Sequence, residues 1–136
     1  MREITLEAKT ENLDRLTEFI HEDLGQTSCS KKTRFQIDMA VEELFVNICR
    51  YAYAPNTGTA NIRTELYREP DRVSITFTDS GIPYNPLKKL DPDLSLSIEE
   101  RPIGGMGIYL VKEKMDDVSY EYKDGHNVLT ITKILV

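Results

Sequence analysis

Apolar and polar residues alternate along this chain with two different periods. Ile4, Leu6 and Ala8 alternate with Glu3, Thr5 and Glu7, which predicts a half-buried strand over residues 2 to 8. Leu13, Leu16, Phe19, Ile20 and Leu24 then recur at helical spacing. A helix is expected from 11 to 24, with Gly25 as its C-terminal stop. A longer helix is expected from 30 to 53, ahead of Pro55. Residues 59 to 68 and 72 to 79 read as two strands joined by a tight turn at Glu69-Pro70-Asp71. A short helix from 106 to 115 carries Ile108, Val111 and Met115 on one face. Strands at 117 to 123 and 127 to 135 close the chain, and Asp124-Gly125 between them is a strong hairpin signal.

The stretch from 80 to 105 breaks this regularity. It holds four of the six prolines together with Gly81, Gly104 and Gly105, and a loop of that length inside a domain is often a lid or binding loop. The predicted order is β-α-α-β-β-loop-α-β-β. Antiparallel strands with helices between them suggest an α+β two-layer sandwich: one mainly antiparallel sheet covered on one face by helices.

Composition narrows the picture further. With 136 residues, 40% hydrophobic and 29% charged, the chain reads as one ordered domain spanning 1 to 136. The net charge of −6 disfavours direct nucleic-acid binding, which relies on Lys and Arg neutralising phosphates. No run approaches the ~18 apolar residues of a membrane span, and the first residues lack the apolar segment of a signal peptide, so a cytoplasmic protein is expected. Cys29 and Cys49 have no metal-ligand spacing and read as reduced thiols.

Three groups of residues carry candidate chemistry. On the long helix, Ile37, Ala40, Val41, Leu44 and Ile48 form an apolar face. Glu43 and Asn47 lie one turn apart at its border, while Glu42 falls towards solvent. A carboxamide oxygen suits Mg²⁺, and a carboxylate can orient or deprotonate a nucleophile. At the end of the second central strand, Asp79 shares the parity of Val73, Ile75 and Phe77. A carboxylate aimed at an apolar face needs a hydrogen-bond donor, such as an adenine amino group, and Gly81 would let the backbone approach a flat base. Last, Gly104-Gly105-Met106-Gly107 opens a helix, and exposed N–H groups at a helix start suit phosphate. The sequence is neither GxGxxG after a strand nor a Walker A loop. Each motif alone also has a plain structural reading: a polar helix border, a turn cap or a hinge.

Order and spacing are more informative than any one motif. Glu-x-x-x-Asn on a helix, Asp-x-Gly at a strand end, a long loop, then Gly-Gly-x-Gly opening a helix resembles the GHKL ATP-binding domain (Bergerat fold) of gyrase B, histidine kinases and MutL. The resemblance runs from Ile4 to Leu135. Glu42-Glu43-Leu44-Phe45-Val46-Asn47, Gly105-Met106-Gly107-Ile108-Tyr109-Leu110-Val111 and Met115-Asp116-Asp117-Val118 resemble the anti-sigma factor serine/threonine protein kinases in particular. The resemblance implies ATP and Mg²⁺ as cofactors. Asn47 would coordinate the metal, Glu43 would be the general base, and Asp79 and Gly81 would receive the adenine. Gly104, Gly105, Met106, Gly107 and Ile108 would surround the phosphates beneath a lid at about 80 to 105. Arg101, four positions before Gly105, would supply a cation there, with Lys88 and Lys89 as other candidates. Tyr51 stands where many members carry His. The implied partners are a STAS-type anti-anti-sigma protein as substrate and a sigma factor as the alternative, with the kinase itself a homodimer. The competing function is an ATP-gated binding module with little or no phosphotransfer.

Overall fold

The structure is a computed structural model describing residues 1–88 and 106–136, with Met106 described by its backbone. The strands are β1 (Arg2–Glu7), β2 (Thr59–Tyr67), β3 (Arg72–Asp79), β4 (Asp117–Lys123) and β5 (His126–Ile134). The helices are α1 (Leu13–Leu24), α2 (Lys31–Asn47) and α3 (Met106–Lys114). All strand pairs are antiparallel, in the order β1-β2-β3-β5-β4. β2–β3 and β4–β5 are hairpins, and β5 rather than β4 lies beside β3, so the last hairpin inserts with its second strand innermost. The architecture is the α+β sheet expected from the pattern.

Period-two burial sets the two faces of the sheet. Along β3, Val73, Ile75, Phe77 and Asp79 are buried, while the intervening residues are partly exposed. Ile62 and Thr64 on β2, and Leu129 and Ile131 on β5, complete the inner face. Leu16 and Ile20 of α1, Ile37, Val41 and Phe45 of α2, and Ile108 and Val111 of α3 cover it. The outer face is hydroxyl-rich, and Thr76 and Thr130 share a hydrogen bond of 3.1 Å across β3 and β5. The β4–β5 turn has positive φ at both Asp124 (52°) and Gly125 (80°), the geometry that Asx-Gly favours.

Ser30 starts α2. Its backbone is extended and its Oγ accepts a hydrogen bond from the Thr33 N–H at 3.1 Å. Ser30→Ala is expected to destabilise the protein by about 1 kcal/mol, the usual value of a cap, measured by urea unfolding. The expected single helix over 30 to 53 is not continuous. The α-helix ends at Asn47, and Ile48–Ala52 form a π-helical turn. Ile48 and Ala52 remain buried through it, so the apolar pattern does not register the change of hydrogen-bonding. Such π turns are often found at functional sites.

Among the described residues no helix is long and apolar enough to cross a membrane. Cys29 and Cys49 are free, and burial pushes the Cys49 thiol up to about 11.

Candidate functional site

Asp79 ends β3 on the buried face and is 7% exposed. Its Oδ1 accepts hydrogen bonds from the Gly81 N–H and from the Asn127 Nδ2, each at 2.9 Å. Asp79 and Asn127 are directly opposite in the β3–β5 register. Around the carboxylate lies a mainly apolar cavity with about 40 Å³ of solvent-accessible space, walled by Leu44, Ile48, Phe77 and Leu129 and bordered by Tyr51 and Tyr84. That space holds a few waters rather than a purine. The chemistry suits a base: apolar walls and a carboxylate acceptor. Tyr51, Ile82 and Tyr84 line it on the side of the chain that follows β3 and the π turn, and Ile82 is 61% exposed. The Tyr51 and Tyr84 rings are tilted at 39° with centroids 6.2 Å apart.

Gly81 sits against the end of the π turn. A Cβ built there would fall 2.2 Å from the Ala52 carbonyl oxygen and 2.5 Å from its carbon. The Ile82 N–H donates to that same oxygen at 3.0 Å. Tyr53 secures the strand end from the other side: its hydroxyl donates to the Thr59 carbonyl at 2.6 Å and accepts from the Ser80 N–H at 2.8 Å.

Asn47 lines the same cavity as Asp79. Its Nδ2 donates to Glu43 Oε1 over a long 3.4 Å, and its Oδ1 accepts no hydrogen bond from any described residue. That oxygen is therefore free to bind a cation. Among the described residues no three His, Cys, Asp or Glu side chains cluster into a ready metal site. A single carboxamide oxygen fits an Mg²⁺ that draws its other ligands from phosphates and water.

Glu43 and Asn47 lie side by side, as the one-turn spacing predicts, but they line different cavities. Glu43 lines a second cavity of about 300 Å³ between α2 and α3, with Gln36, Met39, Arg50 and Leu110. Glu42 is exposed, as expected, but borders that cavity too rather than facing away from it. One helical turn separates Glu43 from Asn47 along the axis, and the long hydrogen bond links them. Gly107, in the first turn of α3, rests on the Glu43 carboxylate: a Cβ there would lie 2.2 Å from Oε2 and 2.3 Å from Cδ. Ile108 is fully buried in the core, so its backbone rather than its side chain is the part able to meet a ligand. Lys88 is exposed at the end of a short 3₁₀ turn, Pro86–Lys88. Lys89, Arg101, Gly104 and Gly105 lie outside the described residues, as does most of the expected lid.

Sequence reasoning missed Asn127, the residue with the most polar contacts to this site. A signal for it exists. Asn127 shares the inward parity of Leu129 and Ile131, as Asp79 shares that of Phe77. It also missed Tyr53, whose hydroxyl bridges two distant backbone groups.

An antiparallel sheet carrying an inward carboxylate at a strand end, with an Asn-bearing helix across the cavity and a glycine-opened helix beside it, is the arrangement of a nucleotide-binding ATPase domain. Residues 6–133 match the family of histidine kinase-like ATPase domains, and the chain belongs to that family. Among characterised proteins it is similar to the serine/threonine-protein kinase BtrW of Bordetella bronchiseptica. The two are 33% identical over 103 residues, covering 76% of this chain and 72% of BtrW. It is also similar to the serine-protein kinase RsbW of Bacillus cereus, at 34% over 95 residues, covering 67% of this chain and 58% of RsbW. The RsbW of Bacillus mycoides is 35% identical over the same coverage. The match thus spans less than two thirds of these RsbW proteins.

Proposed function

We propose that this protein is an ATP-dependent serine/threonine protein kinase that phosphorylates a STAS-type anti-anti-sigma protein and, in its other engagement, holds a sigma factor inactive. The observation that carries the reading is the meeting of Asp79 and Asn47 around one cavity, with Gly81 hydrogen-bonded to Asp79 and with Glu43, one helical turn from Asn47, against Gly107. Family membership and similarity to named serine and serine/threonine kinases support the same activity. The reading includes a cytoplasmic location and a homodimer, the latter checked by light scattering.

In this mechanism Asp79 accepts a hydrogen bond from the adenine amino group, and Gly81 lets the backbone lie close to the base. Asn47 would hold Mg²⁺, which supplies charge neutralisation on the phosphates. The backbone at the start of α3, around Met106, Gly107 and Ile108, faces the phosphate end, with Gly104, Gly105 and Arg101 just before it in sequence. Glu43 takes the proton from the incoming seryl or threonyl hydroxyl. That oxygen bonds to the γ-phosphorus as the bond to the ADP oxygen breaks. Glu43 lines the cavity away from Asp79, which suits a group that serves the second substrate rather than the base. Positioning and charge neutralisation contribute most of the rate in such transfers.

The test is binding of Mg·ATP by calorimetry, followed by transfer of labelled phosphate to a STAS protein. Asp79→Asn should weaken ATP roughly 10- to 150-fold, the equivalent of a hydrogen bond to a charged group at about 1.5–3 kcal/mol. A wild type that binds no ATP would sink the nucleotide site. A wild type that binds ATP and partner but never transfers phosphate would make it a binding module instead.

A further inference from the structure

The side-chain amide of Asn127 is fully committed within the protein. Its Nδ2 donates to Asp79 Oδ1 at 2.9 Å and to the Ile82 carbonyl at 2.8 Å. Its Oδ1 accepts from the Tyr84 N–H at 3.0 Å and from the Tyr120 hydroxyl. A carboxamide offers two donor hydrogens and two acceptor lone pairs, so all four are used. The amide cannot be turned around: a backbone carbonyl faces the nitrogen and a backbone N–H faces the oxygen. Burial pushes the Tyr120 hydroxyl above its ordinary pKa, and a tyrosine hydroxyl is in any case protonated near neutral pH and able to donate. At 6% exposure, Asn127 has nothing left to give a ligand.

Its effect on Asp79 is specific. With the Gly81 N–H, it saturates Oδ1 and sets the plane of the carboxylate. Oδ2 receives no hydrogen bond from any described residue. Among the described residues no buried side-chain oxygen or nitrogen lacks a partner, so Oδ2 is open to the cavity that Asp79 lines. The same amide also ties residues 82 to 84 to β5, while the Ile82 N–H ties them to Ala52. One residue thus orients the acceptor and anchors the rim of the cavity.

We propose that Asn127 is the positioning residue for base recognition: it spends one oxygen of Asp79 inside the protein and presents the other to the exocyclic amino group of adenine. This rests on the reading of the Asp79 cavity as an adenine site. A misaligned or doubly available carboxylate would still attract a donor but would no longer hold it in the plane of the base. Asn127 therefore governs preference for an amino-bearing purine without touching it.

The experiment compares Mg·ATP with the Mg complex of purine riboside triphosphate, which is ATP without the amino group. Both are titrated into the full chain by calorimetry, for the wild type, Asn127→Ser and the isosteric Asn127→Asp. The wild type should prefer ATP by roughly 10- to 100-fold. Both variants should lose most of that preference, through weaker ATP binding, while the analogue changes less than about threefold. A merely structural role would weaken both ligands together, and that result, or unchanged ATP binding, overturns the proposal. A wild type that binds ATP without preferring it to the analogue overturns it as well. A wild type that binds neither ligand overturns the adenine-site reading itself. If both variants fail to fold, the wild type still decides. The Asn127 side-chain amide protons should shift in NMR spectra on ATP binding and shift clearly less with the analogue, and equal shifts would rule the role out.

Discussion

Replacing Glu43 with alanine is expected to slow phosphoryl transfer by about 10²–10⁴ while leaving ATP affinity within a few-fold. A positioned general base contributes about that much, and it acts on the incoming hydroxyl rather than on the nucleotide. The geometry requires a second variant. Glu43 packs directly against Gly107, so truncation to alanine removes a contact as well as a carboxylate. Glu43→Gln keeps the shape and loses the base, and it should slow transfer to a similar degree. Asn47→Ala should differ from both by losing Mg·ATP affinity along with transfer. Glu42 borders the same cavity as Glu43, so a better control is Glu18, exposed on α1, whose replacement by alanine should change nothing. Rates are measured with a cognate STAS protein under single-turnover conditions. A glutamine variant that transfers at the wild-type rate would remove the general-base role.

Gly81→Ala is expected to weaken ATP by at least about 10-fold and to destabilise the fold by about 1–3 kcal/mol, the range for forcing extra atoms into packed structure. Distance rather than backbone freedom is the reason, because the added methyl would meet the Ala52 carbonyl at 2.2 Å. That neighbour is backbone, part of a turn packed into the core, and cannot swing aside as a side chain would. Residues 81 to 84 would have to move instead. Movement breaks the Ile82 to Ala52 hydrogen bond and the Gly81 to Asp79 hydrogen bond, and so disturbs the carboxylate proposed to receive the base. Calorimetry gives the affinity and urea unfolding the stability. Normal affinity in a destabilised variant would show that this close approach serves packing alone.

The secondary structure and fold class were legible in the sequence because they follow from short-range periodicity. Alternation in β1, β3 and β5 and helical spacing in α1 and α2 place the apolar residues on one side of each element. The same parity put Asp79 on the buried face, and the one-turn spacing put Glu43 beside Asn47. Asp124-Gly125 announced its turn through the backbone angles those residues tolerate.

What the tertiary structure alone decided depends on distances between segments far apart in the chain. The sheet order places β5 beside β3, and this brings Asn127 opposite Asp79, 48 residues away. The fit of Gly81 against Ala52 and of Gly107 against Glu43 arises where separate elements come within van der Waals contact. The π turn after Asn47 left the apolar pattern unchanged, since Ile48 and Ala52 stay buried in either kind of helix. The division of Glu43 and Asn47 between two cavities is likewise set by distant elements: α3 contributes to the one that Glu43 lines, and β3 to the one that Asn47 lines. A local sequence pattern specifies which way a side chain points from its own element. It carries no information about which distant backbone it will meet there.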